Sequence, residues 1–401
     1  MYCDAFVVSS LSKVFPEEKP LPLSSPLSLL QNDSVSFQLA YFLHADWNQE
    51  LDITISSPLL SSLSFYQVML SPSSYPCHPV YDERYLKTLP GLFPDRLKQL
   101  SLPSTTLRFV ARQWRSLWIK VTSPCDLPAG TYPVTVTAKH KDHDPLFFSV
   151  TVEVTLIPTS LLENPIYHTE WFHGDCLADY YQVESLSQAH FDIMENFISL
   201  AAKRDINTLL TPIFTPPLDT KVGKERTTIQ LVQVFRDQGI YHFDFSLFHK
   251  WVSMCQRCGI KYFEISHLFS QWGAAYPPKI MAWVEGEYCQ IFGWEQAGTG
   301  KEYAAFLQTF LPLFLAELET LGIQKQCIFH ISDEPQLADL DQYKAARAIV
   351  MPYLKDSLVI DALSDIDFYH KKVITHPVPS NDHIEDFLHA GVADLWTYYC
   401  T

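Results

Sequence analysis

Basic charge is scarce in this chain: 29 Lys and Arg stand against 45 Asp and Glu, a formal net charge of −16 over 401 residues. That balance argues against a nucleic-acid partner, because phosphate binding needs a basic surface, and against attachment to anionic lipid. Long apolar runs are missing as well. No stretch approaches the roughly 20 residues of a membrane span, and the opening MYCDAFVVSSLSKVFPEEKP has neither the basic nor the extended apolar region of a secretory signal. The expectation is a cytoplasmic protein with no membrane partner, in which the Asn32-Asp33-Ser34 sequon carries no weight. Glycine is sparse, 13 in all, with no Gly-rich turn to cradle a nucleotide phosphate. The nine cysteines are odd in number and without framework spacing, so they read as reduced thiols. Fifteen histidines show no HExxH or similar spacing, so neither a metal nor another cofactor is expected. Oligomeric state is not legible.

What is abundant is apolar and aromatic: 47% hydrophobic residues, with 26 Phe, 20 Tyr and 9 Trp. This suffices for two domains with large cores. Most rings fill cores, but Trp and Tyr near strand ends could also pack on the C–H faces of a sugar. Residues 1–160 read as an antiparallel β-sandwich. Val35–Tyr41 and Phe148–Leu156 alternate with period 2, Leu117–Val121 and Tyr132–Val136 resemble them, and Pro/Ser/Gly clusters punctuate the runs.

From 161 to 401 the rhythm becomes strand, helix, strand, helix. Strand candidates are 166–173, 206–214, 260–268, 326–332, 358–363, 373–376 and 394–399. Tyr303, Phe306, Leu307, Phe310, Phe314 and Leu318 mark a helix stopped by Gly322 and expected to kink at Pro312. Leu340 to Leu354 marks another. Alternation implies parallel strands with helical crossovers, here a (β/α)8-type barrel. Only seven of its strands are visible before Thr401, so the barrel is expected to be incomplete. Two insertions should overhang its C-terminal face: a hairpin with arms 227–234 and 240–245, and the aromatic segment 269–300. Cys255-Gln256-Arg257-Cys258 has redox spacing but ends a helix instead of starting one, and reads as core.

The informative segment is Gln326-Cys327-Ile328-Phe329-His330-Ile331-Ser332-Asp333-Glu334-Pro335. Cys327, Phe329 and Ile331 should face the helices; His330, Ser332 and Glu334 should face the lumen. Pro335 should hold Glu334 extended and end the strand. Two acids at a strand's C-terminal end suit glycoside cleavage, which needs a proton donor for the leaving oxygen and support for an oxocarbenium-like centre. Neighbours on a regular strand point to opposite faces, so both reach one cleft only if the strand frays at Asp333. Substrate-assisted hydrolysis suits adjacent acids: a 2-acetamido carbonyl attacks the anomeric carbon, Asp333 holds the acetamido N–H, and Glu334 protonates the leaving oxygen and then activates water. Repulsion from Asp333 should keep Glu334 protonated.

On these residues the chain resembles glycoside hydrolase family 123, the β-N-acetylgalactosaminidase-like group. The resemblance rests on His330-Ile331-Ser332-Asp333-Glu334-Pro335, on a sandwich followed by a barrel, and on Leu395-Trp396-Thr397-Tyr398-Tyr399-Cys400. It implies a retaining hydrolase that releases an N-acetylhexosamine with an Asp-Glu pair on the fourth strand, a Trp walling the acetamido pocket and a Tyr bonding its carbonyl oxygen. Trp396 and Tyr398 are the residues in those positions. Further sugar-binding candidates are Trp171, His173 and Asp175 on strand one, His267 and Trp272 after strand three, His330, and Asp361 on strand five. Two other readings stand beside this one. A two-carboxylate glycosidase would take its nucleophile from strand seven, where 394–401 holds no Glu. A non-catalytic carbohydrate-binding or structural module would bind sugar without turnover.

Overall fold

The computed structural model describes residues 3–79, 85–124, 127–140, 146–162 and 166–399; Cys400, which closes the aromatic run at the C-terminus, lies outside them. The chain divides into two compact units, Met1–Glu163 and Asn164–Thr401.

The strands of the first unit are β1 (Cys3–Ser9), β2 (Leu27–Gln31), β3 (Ser34–Leu43), β4 (Gln49–Ser56), β5 (Leu63–Ser73), β6 (Gly91–Gln99), β7 (Ser104–Phe109), β8 (Trp114–Thr122), β9 (Gly130–His140) and β10 (Leu146–Ser160). They form two five-stranded sheets, ordered β1-β3-β8-β5-β6 and β2-β10-β9-β4-β7. All four alternating segments lie in strands. Leu117, Ile119 and Val121 of β8 and Ile53, Val134 and Val136 of the other sheet are buried in one shared cluster, as period-2 alternation requires of two sheets with a common inner face. Pairing is antiparallel except at one edge, where β2 runs parallel to β10.

The second unit contains β11 (Thr169–Glu170), α1 (Gly174–Tyr181), α2 (Gln188–Ala202), β12 (Thr208–Thr211), β13 (Gln233–Asp237), β14 (Ile240–Asp244), α3 (Ser246–Cys258), β15 (Tyr262–Ile265), β16 (Ile280–Val284), β17 (Glu287–Phe292), α4 (Lys301–Thr320), β18 (Cys327–Phe329), α5 (Leu340–Leu354), β19 (Leu358–Val359), β20 (Asp361–Ala362), α6 (Asp367–His370), β21 (Pro377–Val378) and α7 (Ile384–His389). A parallel sheet runs β11-β12-β15-β18-β19, and β20 pairs with β21 in parallel. Phe263, Ile265, Cys327, Phe329 and Ile331 are buried with Phe306, Phe310 and Phe314 of α4 and Tyr343 and Val350 of α5. Each such ring removed from water contributes on the order of 2 kcal/mol. α4 runs unbroken through Pro312 and is followed by Gly322 at φ +68°. Cys255 is buried at the end of α3, and burial pushes its thiol well up, which agrees with a core cysteine.

Several strand expectations need correction. The central strands are two to four residues long. The strand expected at 373–376 lies instead at Pro377–Val378, the residues that meet Asp361 and Ala362. The run 394–399 forms no strand among its described residues; it makes an isolated parallel bridge, Ser380 to Tyr398, since β21 offers only two residues to pair with. The first arm of the hairpin begins at Gln233, and its turn is Gln238-Gly239, both at positive φ, which suits a two-residue connection. β13 and β14 join β16 and β17 in a four-stranded sheet.

Candidate active site

Beyond β18 the chain leaves the extended form. The amides of Ile331 and Ser332 donate to Asp361 Oδ1 at 2.8 and 3.3 Å, and the Ser332 hydroxyl donates to the Ser270 carbonyl at 2.7 Å. The Asp333 carbonyl accepts from the Trp272 amide at 2.7 Å, and the Glu334 amide donates to the Ala362 carbonyl at 2.9 Å. Glu334 is left-handed, φ +43°. This corrects the expectation that Pro335 holds it extended: a proline disfavours right-handed helical backbone before it, and the bond to Ala362 draws the chain into the left-handed turn. The alternation of facing ends here, so the objection that neighbouring acids must point apart does not apply.

The expected parity of β18 is present up to His330. Cys327, Phe329 and Ile331 enter the helix-side core, while His330 turns to the other face and meets Glu264 of β15, Nε2 to Oε1 at 2.6 Å. Glu264 is 2% exposed and also accepts from the Trp171 indole N–H at 2.9 Å and, through Oε2, from the Thr169 hydroxyl. Burial acts to raise its carboxyl, but His330, Thr169 and Trp171 together hold it below the usual range. His330 Nδ1 lies 3.6 Å from Asp361 Oδ1, beyond a hydrogen bond. Burial would discharge this imidazole, yet Glu264 and Asp361 raise it to about 10. Asp361 is fully buried and takes a hydrogen bond from Tyr343; burial raises its carboxyl against the pull of His330. His267 stacks on His330 with centroids 4.2 Å apart. It is held neutral by burial and by the neighbouring imidazolium, and neither ring nitrogen has a partner.

Asp333 is 5% exposed and its Oδ1 is buried without a partner. Burial, then Glu334, push its carboxyl up to about 7, with His330 pulling the other way. Repulsion within the acid pair thus falls on Asp333, the buried member. Glu334 is half-buried and its Oε1 accepts from the Tyr398 hydroxyl. Trp272, also left-handed at φ +56°, is half exposed beside Asp333. Gly273 follows at φ +98°, where a Cβ would meet the Asp339 side chain at 2.6 Å, so the loop that carries Trp272 needs glycine there.

The candidates therefore sort into three places. Trp171, His267, His330, Asp361 and Asp333 gather around Glu264 and His330, with Trp272, Glu334 and Tyr398 adjoining. His173 and Asp175 belong to a second cluster, where Arg226 grips both Asp175 oxygens at 2.8 and 3.1 Å and donates to His173 Nδ1 at 3.2 Å. Burial and Arg226 lower the His173 imidazole. Asp219 links the clusters, lying 3.7 Å from His173 and acting on Asp333. Trp396 stacks on Tyr167 at 4.6 Å, among Ile328, Ile360 and Val378.

Two residues escaped the sequence reading. Glu264 left a signal, a lone carboxylate in the apolar run 260–268. Arg226 left none, because its partner Asp175 is 51 residues away. Among the described residues no group of three or more His, Cys, Asp or Glu is arranged to hold a metal ion, and no helix is long and apolar enough to cross a membrane.

Comparison with solved structures places the fold. A family 123 glycoside hydrolase from Clostridium perfringens, described for glycolipid glycan hydrolysis, superposes with a TM-score of 0.68 at 15% identity, covering 100% of this chain and 72% of that one. A Bacteroides uniformis β-glucuronidase gives a TM-score of 0.28 at 9% identity, covering 96% and 38%. A Paenibacillus cycloisomaltooligosaccharide glucanotransferase gives 0.27 at 10%, covering 98% and 53%. No curated protein matches the chain. The sequence model described as glycoside hydrolase 123, catalytic domain, matches residues 171–401, more than half of the chain and all of the acid site. The chain therefore belongs to glycoside hydrolase family 123.

Proposed function

We propose that this protein is a retaining hydrolase that releases a terminal N-acetylhexosamine, β-N-acetylgalactosamine foremost, by substrate-assisted catalysis. Residues 161–401 form a (β/α)8-type catalytic domain, and residues 1–160 a β-sandwich domain beside it in sequence. The observation that carries the reading is a pair of consecutive carboxyls at a break in a parallel strand, one buried with a free oxygen and one half-buried against a tyrosine hydroxyl.

The acetamido carbonyl oxygen of the substrate attacks the anomeric carbon while Glu334 gives its proton to the departing glycosidic oxygen. The cyclic oxazolinium ion that results is stabilised by ionised Asp333, which accepts the acetamido N–H. Water then adds to the anomeric carbon, Glu334 takes its proton, and the ring opens with retention. The pair must hold one proton between them. Burial keeps that proton on Asp333 in the free protein; an amide N–H and a developing cation favour charge on Asp333 and leave the proton to Glu334. Tyr398 can turn from Glu334 to the acetamido oxygen, and Trp272 offers a ring for a pyranose face. Glu264 is the other nearby glutamate, but both its oxygens are occupied, which speaks against a two-carboxylate mechanism through it.

Assay of aryl 2-acetamido-2-deoxyglycosides with wild type, Asp333→Asn and Glu334→Gln tests the reading. Each substitution should cost about 10²- to 10⁴-fold in kcat/KM, and a thiazoline analogue of the intermediate should inhibit competitively. Turnover untouched by both substitutions, or covalent labelling of a protein carboxylate by a fluorosugar, removes it.

A further inference from the structure

Glu264 takes no part in the chemistry just described, yet donors from two directions close on it. Thr169 and Trp171 approach from the β11 end and His330 from beyond β18. We propose that Glu264 is a positioning residue that holds His330 as a fixed buried cation beside Asp333, and that this cation sets the pH range over which the acid pair keeps its single proton. The inference rests on the proposed function for its kinetic consequence but not for the state of the ion pair.

A hydrogen-bonded pin alone would not need charge. A buried ion pair brings a desolvation penalty that often exceeds its attraction, and a neutral amide at 264 could accept from Trp171 and His330 at its one oxygen while its N–H donates to the Thr169 hydroxyl. The groups facing His330 are Glu264, Asp361, His267 and Asp333. His267 is neutral and stacked, so it does not compete for the proton. Asp361 is spaced beyond hydrogen-bond distance. The direct bond is the one from Glu264, at 2.6 Å. The groups acting on Asp333 are Glu334, His330, Asp361 and Asp219, and of these His330 alone is cationic. If Glu264 loses its charge, His330 loses its bonded anion and turns neutral in the working range. Asp333 then faces only burial and anions, and its proton is held to higher pH.

The first measurement needs no substrate. The ring carbons and nitrogens of His330 are followed by NMR on the whole isotope-labelled chain between about pH 6 and 9. Wild-type His330 should stay protonated throughout, and in Glu264→Gln it should titrate inside that window. A wild-type ring that titrates near an ordinary histidine value overturns the proposal, whatever the enzyme hydrolyses. The second measurement is kcat/KM against pH. The descending limb should lie at about 7 in wild type, move up by about one unit in Glu264→Gln, and return in Glu264→Asp, which keeps the charge. A Glu264→Gln limb that stays in place while the plateau falls identifies a merely structural role and also overturns it. Absence of turnover on any 2-acetamido substrate counts against the proposed function, and the wild-type titration still judges the ion pair if Glu264→Gln does not fold.

Discussion

In the first unit the buried polar side chains among the described residues are Gln38 and Ser116, and they satisfy each other: the Ser116 hydroxyl donates to Gln38 Oε1 at 2.8 Å, and Gln38 Nε2 donates to the Ser9 and Ser12 carbonyls. In the second unit Asp175, Glu264, Asp333 and Asp361 are each no more than 5% exposed, and two of the buried histidines, His267 and His330, have ring nitrogens without partners. Burying charge is far costlier than burying an amide. Among the described residues the first unit meets that cost at Arg115, whose Nε is buried without a partner, and the second accepts it repeatedly around the ends of its parallel strands. The contrast places the buried charges in the unit that matches the family's catalytic domain.

The sharpest way to break the contrast is to unbalance each polar cluster. His330→Ala leaves Glu264 and Asp361 as uncompensated buried carboxyls and should cost about 3–5 kcal/mol, whereas Gln38→Ala in the first unit should cost about 1–3 kcal/mol. Thermal unfolding of the two variants decides it, and equal losses would erase the difference drawn here. Asp333→Asn should act in the opposite direction. Its carboxyl rises from 3.8 to about 7 on folding, so the stabilising contribution of the neutral form is complete below about pH 4 and disappears as pH climbs through 7. The amide removes that loss. The variant should be more stable than wild type at pH 8 by up to about 4 kcal/mol and indistinguishable from it near pH 4, as read from Tm across that range. A more stable protein with no turnover would be the signature of a site that trades stability for chemistry. The smallest effect is expected at the edge of the pair: Tyr398→Phe should lower kcat/KM about tenfold, one hydrogen bond's worth, with little change in Tm.

Legibility tracked sequence distance. Helices α4 and α5 were visible because periodicity repeats within a few residues, and the facing of Cys327, Phe329 and His330 followed from alternation. The acids at 333 and 334 stood out because strand, acids and proline are contiguous. What stayed hidden is held together across the fold. Glu264 and His330 are 66 residues apart, and no local pattern announces that one strand will supply the counter-ion of another. The expected extended geometry at Glu334 failed for the same reason: the residue that turns it, Ala362, comes from another strand. The expected strand at 394–399 had the right composition but no long partner, and a strand is a property of two segments.

The backbone at Glu334 carries a consequence for descent. Holding an ordinary L-residue in the left-handed region costs about 1–2 kcal/mol, and such outliers persist where something over-determines them. Glycine or asparagine would occupy the position with less effort. On the proposed role of Glu334 as the acid, a lineage released from hydrolysis should therefore drift to Gly or Asn at 334 early, gaining stability as it does so, while one that keeps the reaction must go on tolerating a side chain that its own main chain disfavours.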